Sequence, residues 1–350
     1  AFALIFLLVL LGTTATRLWL ARRQVRHVLA HRAEVPEGFR EKISLASHQK
    51  AADYTATKGS LNIVHLLIEA GILLALTFGG ALNWLDQLWR ETITSGEILR
   101  GLALIISVVV ITGLIDLPFS WYRTFSVEAR FGFNRMTPKL FLIDLLKQTL
   151  LGALIGVPLV LAALWMMHTL GERWWLWAWA AWMIFNIVML AVYPTVIAPL
   201  FNKFTPLTNA ELKERIERLL QRCGFEAKGL FVMDGSTRSS HGNAYFTGFG
   251  KTKRIVFFDT LLNSLNGSEI EAVLAHELGH FKRRHVIKRI ALTFVMSFVF
   301  LLLLGYLVRQ PWFFNGLGVV EPSAAMALVL FSLALPLFTF LLHPLSAMYS

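Results

Sequence analysis

Seven stretches of this chain, at about 2–20, 61–84, 98–121, 146–167, 174–200, 288–308 and 323–344, are each apolar enough to cross a bilayer. A spanning helix needs roughly 20 mostly apolar residues, because its backbone polar groups must satisfy one another where no water reaches them. This predicts a predominantly α-helical, polytopic membrane protein with seven transmembrane helices. Composition agrees: 56% of the 350 residues are hydrophobic and 16% are charged, so lipid must serve as part of the solvent. The first run starts directly at Ala1. No small-residue cleavage pattern follows it, so a membrane helix is expected rather than a signal peptide. The lack of a starting Met adds the expectation that residues precede Ala1. Trp174, Trp175, Trp177, Trp179 and Trp182 read as an interfacial aromatic belt on the fifth span.

The loops between these runs alternate in charge. Loop 21–60 carries Arg22, Arg23, Arg26, Arg32, Arg40, Lys42, Lys50 and Lys58, and loop 122–145 carries Arg123, Arg130, Arg135 and Lys139. Segment 201–287 is basic as well. Loop 85–97 has Arg90 against Asp86, Glu91 and Glu97, and loops 168–173 and 309–322 have only Arg173 and Arg309 as basic residues. The positive-inside rule places 21–60, 122–145 and 201–287 in the cytoplasm, the N-terminus outside and the end of the seventh span inside. Net charge is +11, with the basic residues beside apolar runs, where anionic headgroups sit. The expected partner is membrane lipid and not nucleic acid. A single cysteine, Cys223, excludes an intrachain disulfide framework and a Cys-rich metal site, and is expected to be small, buried or inert.

The domain plan is therefore 1–200 with spans 1–5, 201–287 as a soluble segment, and 288–350 with spans 6 and 7. Residues 211–223 read as an amphipathic helix and 230–234 as a strand. Residues 244–249 and 254–259 read as two strands joined by a turn at Gly250-Lys251. A helix follows, with Ser268 as N-cap and Glu271 completing a capping box. There is no internal repeat.

That helix contains His276-Glu277-Leu278-Gly279-His280. Histidines at i and i+4 lie one turn apart on one face, so both imidazoles can reach one tetrahedral zinc ion. Glu277 is placed to take a proton from water beside the metal and return it to the leaving amine. The pattern predicts a zinc metalloendopeptidase with one Zn2+ per chain, in a small α+β, zincin-like (HExxH) domain on the cytoplasmic side. His285, nine positions from His276, lies on the far side of the helix and is not expected to be a ligand. A catalytic zinc needs a third protein ligand. After His280 the only acidic residue is Glu321, on the opposite membrane face by topology. Either His343 completes the site or the ligand lies beyond Ser350.

The chain also resembles a known family, the membrane-integral zinc metalloproteases of the Ste24 type, or type I CAAX prenyl proteases. The likeness covers most of the chain and rests on long, unusual blocks. They are Phe125-Ser-Val-Glu-Ala-Arg-Phe-Gly-Phe-Asn-Arg-Met136, Ile197-Ala-Pro-Leu-Phe-Asn-Lys-Phe-Thr-Pro-Leu207, Ser239-Ser-His-Gly-Asn-Ala-Tyr-Phe-Thr-Gly-Phe-Gly250, Arg254-Ile-Val-Phe-Phe-Asp-Thr260 and His276-Glu-Leu-Gly-His280. The resemblance implies seven helices around a water-filled chamber with the zinc site capping its cytoplasmic side. It implies His276 and His280 as zinc ligands and Glu277 as general base. It also implies a third ligand, a Glu in a motif like Ser-Arg-x-x-Glu-x-x-Ala-Asp after the last helix. Leu345 to Ser350 leads into that motif and stops before its Glu, so the third ligand is expected beyond Ser350 and His343 is not assigned. The implied substrate is a prenylated CAAX protein losing its last three residues.

Peptide substrates commonly add as a strand to a sheet edge, and 243–246 is the natural edge here. The candidate substrate contacts are Asn243, Ala244, Tyr245 and His241; the resemblance points to Asn243 and Ala244. Against these stand plainer roles: a turn-forming Asn at a strand start, and a solvent-facing loop histidine. His65, Glu69, Asp116 and Asp144 lie in or near spans, where charges usually face protein or water. They are expected to line the chamber, with a second metal site or proton relay as the bolder reading. Two other functions stand beside the leading one: quality-control proteolysis without prenyl specificity, and a transporter or scaffold with a chance HExxH. The second would need repeats or broken helices in matching halves, which the sequence lacks. The expected location is the plasma membrane of a bacterium or the endoplasmic reticulum membrane of a eukaryote.

Overall fold

The structure, a computed structural model, describes residues 1–94, 96–225, 227, 229–247, 254–283 and 285–344, without the side chains of 281, 282, 285 and 286. The Gly250-Lys251 turn, Leu345–Ser350 and the His285 side chain lie outside the described residues. In chain order come α1 (Phe2–Ala30), α2 (Leu45–Leu76), α3 (Ala81–Thr92), α4 (Glu97–Tyr122), α5 (Pro138–Thr169), α6 (Trp174–Val192) and α7 (Ala198–Phe201). Then come β1 (Phe204–Pro206), α8 (Ala210–Arg222), β2 (Gly229–Met233), β3 (Ala244–Thr247), β4 (Arg254–Phe258), α9 (Asp259–Ser264), α10 (Gly267–Lys282), α11 (His285–Leu307), α12 (Pro311–Asn315) and α13 (Ala324–Thr339).

Seven helical segments among the described residues are long and apolar enough to span: Phe2–Ala30, Leu45–Leu76, Glu97–Glu128, Pro138–Thr169, Gly171–Phe201, Ile287–Leu307 and Ala324–Leu342. Each overlaps one apolar run of the sequence. Leu150 and Leu154 on α5 and Ile184 on α6 are more than half exposed, as side chains solvated by lipid can be. The helices overrun the runs at the basic ends. Residues 21–30 and 45–60, expected in a loop, are helical, because both are rich in Ala and in Leu, Arg, Gln and Lys, which favour helix whether or not lipid surrounds them. The second span stops at Leu76 rather than 84. Gly80, at φ +76°, breaks the helix there, and the amphipathic α3 then occupies most of the expected 85–97 loop.

The chain forms two compact units. The first comprises Ala1–Phe131, Leu154–Trp175 and Leu302–Ser350. Within it α1 packs along α2, and α4 packs on α3 and α13. A Cβ at Gly101 would come within 2.9 Å of Ala325 Cβ, so the glycine lets α4 and α13 approach closely. His65 bonds Asp116 Oδ1 at 2.8 Å and meets Glu69 Oε1 at 3.3 Å; Arg17 lies 3.8 Å from Glu69. Trp174 is buried, which removes it from the aromatic belt.

The second unit comprises Gly132–Ala153 and Leu176–Leu301. Its sheet has the order β1-β2-β4-β3, with β2 parallel to β4 and the other two pairs antiparallel. Leu212, Ile216 and Leu220 of α8 and Ile270, Leu274 and Leu278 of α10 pack on Leu230, Ala244, Ile255 and Phe257 of the sheet. Cys223 caps α8 and is exposed, contrary to a buried role. Trp179 donates its indole N–H to the Phe294 carbonyl (3.0 Å), so it serves packing more than a belt. The chamber-lining role of Asp144 is also corrected. It is 4% exposed and takes two hydrogen bonds from Arg238, at 2.8 and 3.1 Å, because a buried carboxylate needs a partner.

Candidate metal centre

α10 positions the histidine motif. Its N-terminus is closed by a capping box two residues upstream of the expected one. The Asn266 carboxamide oxygen accepts from the N–H groups of Ser268 (3.1 Å) and Glu269 (3.0 Å), and Glu269 returns a bond from the Asn266 N–H at 2.9 Å. Asn caps as well as Ser does, and starting at Asn266 gains half a turn. Glu271, released from the capping role, instead pairs with Arg215 of α8 at 3.3 Å.

The stripe Ile270, Leu274 and Leu278 faces the sheet. His276 lies about 160° around the helix from Leu278, at 100° per residue, and His280 shares its face. His276 is exposed; Glu277 and His280 are half-buried. The two Nε2 atoms are 3.3 Å apart, with the ring planes 86° to one another. Two nitrogens each about 2.0–2.1 Å from one tetrahedral zinc ion lie about 3.3–3.4 Å apart, so the pair fits two ligands of a single zinc. Among the described residues, no group of three His, Cys, Asp or Glu side chains is gathered to hold a metal. That applies equally to His65, Glu69 and Asp116, and to His343, which is exposed beside Phe340.

β3 is an edge strand and contacts α10. The Phe258 N–H donates to the Asn243 carbonyl at 2.9 Å, with Ala244 opposite Phe257 and Tyr245 opposite Val256. In this register Tyr245 bonds β4, while the backbone groups of Ala244 and Phe246 point to the open side. The Asn243 side chain bonds the Ala244 N–H (2.8 Å), which is the turn-forming role. The Ala244 methyl is buried in the core. Tyr245 points to the opposite face of the sheet, beside Phe231, Val256 and Arg254 in a cavity of about 160 Å³. Its hydroxyl reaches Met233 Sδ at 4.0 Å, and burial pushes its phenol pKa up. His241 is exposed, but one ring face stacks on Phe133, with centroids 4.5 Å apart and planes at 20°.

That stacking belongs to a support the sequence did not disclose. Residues 133–135 run antiparallel to 238–240. Ser240 N–H donates to the Phe133 carbonyl and Arg135 N–H to the Arg238 carbonyl, both at 3.1 Å, around an Asn134–Ser239 bridge. The Arg238 guanidinium is fixed on Asp144 and on Asn202 Oδ1 at 3.1 Å. Thr260 Oγ1 ties the His241 carbonyl at 2.9 Å. The approach to β3 is thus held on both sides. The only hint in the sequence was the unusual block 125–136, whose residues suggested no chemistry of their own.

Comparison with known proteins gives concordant matches. The family model for the CAAX prenyl protease N-terminal region, five membrane helices, covers residues 24–203, and that for peptidase family M48 covers 206–349. A CAAX prenyl protease 1 homolog of Arabidopsis thaliana is 41% identical over 250 residues, spanning 69% of this chain and 59% of the relative. A homolog of the same name from Oryza sativa subsp. japonica is 38% identical over 298 residues, spanning 83% of this chain and 70% of the relative. The crystal structure of S. mikatae Ste24p superposes with a TM-score of 0.85 at 29% identity, over 99% of this chain and 84% of that one. A chance HExxH in a transporter or scaffold is incompatible with these matches.

Proposed function

This chain belongs to the CAAX prenyl protease 1 group of peptidase family M48, and from that premise we propose that it is an integral-membrane zinc metalloendopeptidase acting on prenylated CAAX-type substrates. The observation that carries the reading is the 3.3 Å separation of the His276 and His280 Nε2 atoms, with Glu277 on the same helix. Zinc bound there supplies Lewis acidity, which makes hydroxide accessible near neutral pH and polarises a carbonyl. The Glu277 carboxylate takes a proton from the attacking water and delivers it to the leaving amine. The third ligand is proposed as a Glu beyond Ser350.

Substrate peptide adds to the outer side of β3, where the Ala244 carbonyl and the Phe246 backbone groups point; the Ala244 N–H is taken by the Asn243 side chain. Asn243 shapes the start of that edge, and His241 and Tyr245 flank it. The catalytic segment is 201–287, between spans 1–5 and 6–7. The basic loops support its placement on the cytoplasmic face.

The test compares a farnesylated CAAX peptide with its unlipidated twin on the full-length protein. A buried CH₂ contributes about 0.8 kcal/mol, so even a few prenyl carbons in contact predict kcat/KM higher by about tenfold or more for the lipidated peptide. Equal rates would assign the enzyme to general quality-control proteolysis instead.

A further inference from the structure

We propose that the first unit carries a binding site for a zwitterionic phospholipid headgroup with a primary amine, that of phosphatidylethanolamine. The inference is independent of the peptidase reading. A cavity of about 350 Å³ lies among Arg90, Glu97, Arg100, Leu164, His168 and Ala325. Its walls are the start of α4, the end of α5 and the start of α13, with α3 alongside. Consecutive spans run in opposite directions, so the third and seventh begin on the membrane face where the fourth ends. The cavity therefore sits at an interface, at the depth of lipid headgroups.

Its charges suit a zwitterion. Both signs line it, the acids Asp86 and Glu97 and the guanidiniums of Arg90 and Arg100, with Glu321 beside Arg90. They are unequally engaged. Arg90 donates to Asp86 at 2.6 Å and pairs with Glu321 at 2.8 Å. Arg100 is half-buried, and its guanidinium has no hydrogen bond or ion pair among the described residues. A partly desolvated guanidinium calls for an anion, and phosphate suits its planar donors. The N-termini of α4 and α13 also lie at this cavity, and their dipoles favour the same charge.

On the other side, the Glu97 carboxylate is 3.8 Å from His168 Nδ1, beyond hydrogen-bond range, and can accept from an ammonium. A quaternary choline has no N–H to give, and a glycerol headgroup brings no cation. Ile98, Leu164 and Met167 supply apolar wall for the chain that follows the phosphate.

The test is native mass spectrometry of the full-length protein in detergent. It is exchanged in turn with phosphatidylethanolamine, phosphatidylcholine and phosphatidylglycerol of identical acyl chains, and with soluble phosphoethanolamine. The ethanolamine lipid is expected to be retained above the other three. Arg100→Gln should weaken its binding about tenfold or more, the loss expected for a charge-assisted hydrogen bond. Glu97→Gln should erase the preference over phosphatidylglycerol. Arg309→Gln should change nothing, since Arg309 pairs with Glu172 at 2.7 Å outside the cavity. Equal retention of the choline lipid would overturn the proposal, as would undiminished binding in both Arg100→Gln and Glu97→Gln. An equal loss in Arg309→Gln, or soluble phosphoethanolamine binding as tightly as the lipid, would overturn it too.

Discussion

Glu277→Gln in the full-length protein is expected to reduce peptide hydrolysis by about 10²–10⁴-fold or more, the usual contribution of a positioned general base. Zinc content should not change. Glu277 is half-buried one residue before Leu278, which is anchored in the core, so its side chain leaves the helix at a defined place. Gln has the same shape and keeps the helix intact, but its amide takes no proton from water. His280→Ala should instead lose metal and activity together, because it removes a proposed ligand. Activity retained in Glu277→Gln would take the proton-transfer role away from Glu277. Activity lost together with zinc would make Glu277 a support of the metal rather than a base.

Cutting the Asp144–Arg238 pair is expected to have the second-largest effect, on stability rather than chemistry. Asp144→Leu leaves the Arg238 guanidinium without its principal partner, and breaking a buried pair typically costs about 3–5 kcal/mol. The apparent melting temperature in detergent should fall by several degrees. Replacing both residues, Asp144→Leu with Arg238→Met, should recover most of it, since an apolar pair of similar volume is often no less stable. Because the Arg238 carbonyl also holds the Arg135 N–H, the single variant should disturb the approach to β3 and raise KM. An unchanged melt in Asp144→Leu would show that the pair contributes nothing.

The contrast between these two sites shows what a linear sequence reveals. The histidine motif is local: its two histidines are four residues apart, so helix periodicity alone brings them to one face. The spans are legible for a similar reason, since lipid imposes length and apolarity on each separately. Their ends are less so, because helix persists through Arg22, Arg23 and Arg26 wherever propensity allows, past the apolar run. The capping box was displaced because Asn266-x-x-Glu269 and Ser268-x-x-Glu271 satisfy the same rule, and only packing chooses between them.

β1 escaped notice because it is three residues long and ends in Pro206. The pairing of 133–135 with 238–240 joins segments far apart in sequence that share no periodicity. Asp144 looked like a lining residue for the same reason: nothing beside it in sequence announces Arg238. The sheet edge was legible as a hairpin strand. What could not be read was that the Asn243 carboxamide oxygen already accepts from the Ala244 N–H.

Whether His276 and His280 hold a catalytic zinc is decided by metal analysis of purified full-length protein beside its His276→Ala variant. About one zinc per wild-type chain is expected, the content of a single catalytic site, and its loss in the variant. Wild-type protein without zinc, or a variant that keeps the wild-type content, would contradict it.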